Sequence, residues 1–159
     1  MMHRGSLTLA CSLLLMLVCL PGFGDEYVDP TSPQTAPTAV RGMHGCDEEH
    51  LATGLHIGNN LLLCSSSFST TDGARSRFVD HSTQITLGGL SMHACPAGFA
   101  VKGIHVGANL LVCEHANIDD ARVMADSATA RSGMHACPAG MLMKGLHAGR
   151  NVLACVPTR

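Results

Sequence analysis

One 22-residue sentence is written three times in this chain, without a gap, and it limits what the chain can fold into more than any other feature. The copies are MHGCDEEHLATGLHIGNNLLLC (43–64), MHACPAGFAVKGIHVGANLLVC (92–113) and MHACPAGMLMKGLHAGRNVLAC (134–155). Nine positions are identical in all three: Met, His, Cys, then Gly, His, Gly, Asn, Leu and Cys. The second and third copies share 14 of 22 residues. A unit repeated at fixed internal spacing is one supersecondary structure used several times, and a common core is built by packing the copies together.

Each cassette reads as β-structure. Cys95 is followed by Pro96, Ala97 and Gly98, a turn signal. FAVKGIHV is apolar and β-branched with alternation, GAN is a second turn, and NLLVC is another short strand. The expected unit is a three-stranded meander. A fourth strand comes from the stretch ahead of each copy, YVDPTS (27–32), FVDHST (78–83) and VMADSA (123–128), each an apolar run ending at an aspartate. Gly103 interrupts its strand, and a bulge is the usual reason for a mid-strand glycine. One extra residue there brings Phe99, Val101, Ile104 and Val106 to a single face. The same device in the third copy aligns Met141, Met143, Leu146 and Ala148, and in the first it aligns Leu55 and Ile57. The fold class that follows is all-β, with three internal repeats in a pseudo-threefold arrangement, trefoil-like or prism-like, stapled by disulfides.

The start of the chain has the pattern of an export signal: Arg4, a 14-residue apolar run, LTLACSLLLMLVCL, and small residues at Gly22 and Gly24. The expected organisation is a signal peptide over 1–24, a Pro/Thr-rich linker over 25–42 and a three-repeat domain over 43–159. The mature chain holds no second run long enough to cross a membrane, which takes about 20 apolar residues. It is expected to be secreted or periplasmic. It carries nine Lys/Arg against twelve Asp/Glu and no basic cluster, which argues against a nucleic-acid partner.

Six cysteines remain after the signal, an even number that reads as a disulfide framework in an exported chain. The periodicity favours Cys46–Cys64, Cys95–Cys113 and Cys137–Cys155, each closing a loop worth about 3 kcal/mol. In a flat meander the first and third strands stand about 9.6 Å apart, whereas bridged Cα atoms lie within about 7 Å. The sheet must therefore curl, the cysteines must sit at strand ends, or the bonds must run between copies. A Cys₂His₂ zinc cage in each copy is the weaker reading, since structural zinc cysteines stand two to four residues apart rather than 18.

The histidines are the other recurrent chemistry. His44, His56, His93, His105, His135 and His147 form two series, and Met43, Met92 and Met134 adjoin the first of them. Met with His suits copper, and three equivalent histidines could hold zinc. Alternatively, Gly-x-His-x-Gly-x-Asn is a hairpin signature in which side chains bond turn backbone. As ligand-binding candidates the sequence offers His56, Asn60, His105, Asn109, His147, Asn151, Lys102 and Lys144. The leading functional expectation is an exported, non-enzymatic binding module for a polar ligand. The alternatives are a copper- or zinc-binding protein and a structural surface protein. No nucleophile elbow, phosphate loop or His-Glu-x-x-His motif points to an enzyme. Asp119, Asp120 and Asp126 read as a solvated face, and His81 and His115 as surface residues.

Overall fold

The computed structural model describes residues 26–29, 43–47, 49–59, 61–66, 77–127 and 134–159. The expected signal peptide, most of the linker and Asn60 lie outside them. The chain is all-β, with short 3-10 turns and no α-helix among the described residues.

Each cassette supplies a long hairpin: β3 (Leu51–His56) with β4 (Leu61–Ser65), β8 (Phe99–His105) with β9 (Leu110–His115), and β12 (Met141–His147) with β13 (Val152–Pro157). The upstream segments are strands, as their pattern implied. β1 (Glu26–Asp29), β5 (Arg77–Asp80) and β10 (Met124–Asp126) add to the outer edges of β4, β9 and β13. Asp29, Asp80 and Asp126 stand opposite Leu62, Leu111 and Leu153, which are matching cassette positions.

The meander expectation fails at the first strand of each cassette. β2 (His44–Gly45) pairs with β8, β7 (Leu90–Ala94) with β12, and β11 (His135–Ala136) with β3. Each cassette thus hands its first strand to another, and the third hands its own back to the first. The three sheets run β1-β4-β3-β11, β2-β8-β9-β5 and β10-β13-β12-β7-β6. β6 (Gln84–Leu87), hairpinned to β7, gives the last sheet a fifth strand.

This exchange removes the distance objection to local disulfides. Cys46, Cys95 and Cys137 leave with the donated strand and return to bond the cysteine of their own cassette. Cys46–Cys64, Cys95–Cys113 and Cys137–Cys155 have Cα separations of 5.7, 5.7 and 5.5 Å. Each bond consequently joins two different sheets, and the three bonds join all three pairs of sheets.

The bulges are present, but the extra residue is the one before the glycine. Ala52 pairs with Cys64 and Gly54 with Leu63, so Thr53 is the unpaired residue, and Lys102 and Lys144 occupy the same place in the other hairpins. The glycines answer to another need. A Cβ on Gly103 or Gly145 would collide with the backbone of the donated strand, at His44 and His93 respectively. The inward sets are those the bulge implied. Leu55, Val101, Ile104, Met143 and Leu146 share one core with five of the six disulfide cysteines, and Cys137, Ile57, Phe99, Val106, Met141 and Ala148 pack against it.

Candidate hairpin-turn site

The long hairpins close in matching turns, and the repeated letters explain them. In the second cassette His105 is extended (φ −122°) and its Nδ1 accepts the backbone N–H of Ala108 at 3.1 Å. Asn109 ends the 3-10 turn in the left-handed region (φ 51°), and its N–H donates to Val106 O. Asn151 does the same in the third cassette (φ 52°), donating to Ala148 O. Asparagine tolerates this conformation better than other side-chain-bearing residues. In the first cassette His56 Nδ1 accepts the N–H of Asn59 at 3.2 Å. His147 makes no such cap.

The caps fix the tautomer. A neutral imidazole whose Nδ1 accepts a hydrogen bond carries its proton on Nε2. His56 Nε2 lies 3.3 Å from the Asn59 side-chain amide and is held within its own turn, whereas His105 offers an N–H donor from a half-buried ring with Gly107, Ala108 and Asn109 exposed around it. A metal at Nε2 would need that nitrogen's lone pair, and so the loss of the cap.

The first-strand histidines stand apart from the turns. His93 is buried, and its Nε2 donates to Asp80 Oδ1 at 2.9 Å. Asp80 also accepts the N–H groups of Ser82 and Thr83 and the Thr83 hydroxyl. Burial pushes the Asp80 carboxyl up, but the bonds from Thr83, His93 and Ser82 outweigh it and hold the group at about 2, below its ordinary 3.8. The Nδ1 atoms of His44, His93 and His135 are buried and have no hydrogen-bond partner among the described residues. These histidines do not assemble a three-ligand set. No group of three His, Cys, Asp or Glu side chains among the described residues is placed to hold a metal. The neighbouring methionines do not help. Met43 is buried with Val79, Leu110 and Val112, and within β7 alternation sends Met92 and His93 to opposite faces.

Lys102 and Lys144 are 3% exposed. Lys102 Nζ donates to Asp47 O and to His50 O (2.6 Å) and lies 3.8 Å from Glu114 Oε2. Lys144 Nζ donates to Pro96 O (2.6 Å) and Phe99 O (2.9 Å) and pairs with Asp120 at 2.6 Å. Burial lowers the Lys144 ammonium's pKa, and the Asp120 carboxylate opposes that shift. Both lysines are bulge residues that tie down a loop of the cassette donating the strand, so their charges are spent inside the protein.

No protein-family model, curated protein or solved structure matches the chain. Its chemistry rests on its own side chains.

Sequence reasoning missed several of these. Glu114 is fully buried and accepts two bonds from Arg77, at 2.8 and 2.6 Å. Nothing in the apolar strand around it signals a buried carboxylate. Asp120, read as solvated, accepts the N–H of Gly98 at 2.7 Å in addition to pairing with Lys144. Asp119 and Arg159 form a looser pair at 3.6 Å. His81 is exposed as expected, whereas His115 is half-buried, edge-on to Phe99 with centroids 5.5 Å apart. A cleft of about 410 Å³ opens between β6 and Val123, lined by Ile85, Leu87 and Pro96 and floored by the Lys144–Asp120 pair.

Proposed function

We propose that the chain is an exported, non-enzymatic binding module, built as a pseudo-threefold prism of three sheets, that engages acceptor-rich polar ligands through its Gly-x-His-x-Gly-x-Asn turns. One observation carries this reading: in His105 the turn backbone holds Nδ1, so that an N–H donor is left at Nε2 beside an exposed turn, and His56 repeats the Nδ1 cap with its Nε2 lent to the Asn59 side chain. A donor held by its own fold loses little freedom on binding. Three related turns, the third without the cap, stand on one cross-linked frame that suits a repetitive ligand, because weak contacts on linked sites multiply. Carboxylate- or hydroxyl-bearing polymers, saccharides among them, have the matching acceptors. The three disulfides are compatible with an oxidising, extracellular location. No helix among the described residues is long and apolar enough to cross a membrane. Secretion and the leader over 1–24 belong to the proposal.

The copper or zinc reading has less support, since the caps leave a proton where a metal would bind. A structural surface role would need no ligand at all. The deciding experiment is a glycan and acidic-polysaccharide array probed with the full mature chain and with a His56→Ala/His105→Ala/His147→Ala variant. Equilibrium dialysis against Cu(II) and Zn(II) runs beside it. Saturable binding that the variant loses is the expected result. Binding unchanged in a folded variant, or none to any polymer, overturns the reading, and stoichiometric metal uptake by the parent chain would replace it with the metal one.

A further inference from the structure

Three loops follow the donated strands and carry the outer cysteine of each disulfide. They are not held equally. In each case the backbone N–H of that cysteine donates to the bulge residue of the receiving hairpin: Cys46 to Lys102 O, Cys95 to Lys144 O and Cys137 to Thr53 O. In the first two the bulge side chain reaches over and ties the loop carbonyls, at Asp47 and His50 and at Pro96 and Phe99. Thr53 is too short to do so, and its hydroxyl donates instead to Leu63 O, 3.3 Å away in its own sheet.

The third loop is correspondingly open. Pro138, Ala139 and Gly140 are all exposed, and Cys137 is half-buried. Cys46 and Cys95 are 2% and 1% exposed. The loop keeps the turn bond from Met141 N to Pro138 O (3.1 Å) and long contacts from Thr158 to Gly140 O (3.3 and 3.4 Å). All three donated strands are held to their receiving hairpins by two residue pairs each, so the difference between the loops lies in the lysine ties and in exposure.

We propose that Cys137–Cys155 is a redox latch, the first of the three bonds opened by an external dithiol, and that opening it frees the seam between the third cassette and the first. A reductant thiolate attacks Sγ of Cys137, the less buried residue of the pair, and Cys155, which is fully buried, departs as the thiolate. The second thiol of the reductant then displaces Cys137 from the mixed disulfide. The reductant leaves oxidised to its own disulfide, and two electrons and two protons end on the protein thiols.

The test is timed reduction of the native full chain with limiting dithiothreitol, followed by alkylation and peptide mapping. Cys137 and Cys155 are expected to label about tenfold sooner than the other four, since exchange rate follows access. Thr53→Lys is expected to slow that labelling towards the other pairs. Lys144→Thr is expected to speed opening of Cys95–Cys113, and it carries the same comparison should Thr53→Lys not fold. Simultaneous labelling of all six cysteines overturns the proposal. So does earlier opening of another pair in the parent chain, or folded variants whose rates do not change.

Discussion

At the scale of single residues, the repeated histidines do two different jobs. Those in the turns accept a backbone N–H, as a capping side chain does, and removing such a cap costs about 1 kcal/mol. His105→Ala and His56→Ala should each lower unfolding free energy by about that much, whereas His147→Ala, with no cap to lose, should lie within about 0.5 kcal/mol of the parent. Parallel urea denaturation of the three variants checks this. His93 works through Asp80. A carboxyl held below its unfolded value stabilises the fold above that value, and the contribution is lost as pH falls through the folded one. Asp80→Asn should therefore cost about 1–3 kcal/mol at neutral pH. Its deficit should shrink as pH falls from about 4 to about 2, because there the parent's own carboxylate becomes protonated. Stability measured at several pH values reads both effects.

At the scale of elements, the bulge is the junction of the design. Its residue points away from the core face, and the glycine after it lets the donated strand pass. Gly145→Ala should destabilise by about 2 kcal/mol or more, since the atoms met are backbone of β7 and cannot swing aside. Gly88 and Gly89 have open space around them, but their positive φ makes them poor controls, so Gly107→Ala is the comparison of choice, expected near neutral. Thermal melts of the two variants make the comparison. The bulge and the inward sets at Val101, Ile104, Met143 and Leu146 could be read from the sequence, because period-two alternation breaks once and at the same letter in each copy. Strand exchange could not. His44, His93 and His135 carry the same letters whichever hairpin they join, and local pattern does not encode the identity of a partner strand. The burial of the lysines was hidden for a related reason: a cationic side chain beside a mid-strand glycine reads as available to a ligand unless the loop that covers it is known. Glu114 was hidden among apolar neighbours, and its partner Arg77 lies 37 residues away.

At the scale of the whole molecule, stability depends on joining three sheets that share a core with few aromatic rings. Each disulfide links two sheets, so each acts across the core rather than along one hairpin. Replacing Cys46 and Cys64 together with serine should cost about 3 kcal/mol by the chain-entropy estimate, more where the two buried hydroxyls find no partner. Calorimetry of that variant beside the parent tests the figure. A non-reducing peptide map should recover three cross-linked peptide pairs, each internal to one cassette.

The hand-over of the first strand bears on where such a chain can come from. A lone cassette has nowhere of its own to lay that strand, and its hairpin leaves open the edge that a neighbour would occupy. It is unfinished as a monomer and complete in threes. A peptide bearing one cassette and its upstream strand would satisfy every ladder by assembling as a closed trimer of identical copies, and fusing three such genes head to tail would make that assembly permanent in a single polypeptide.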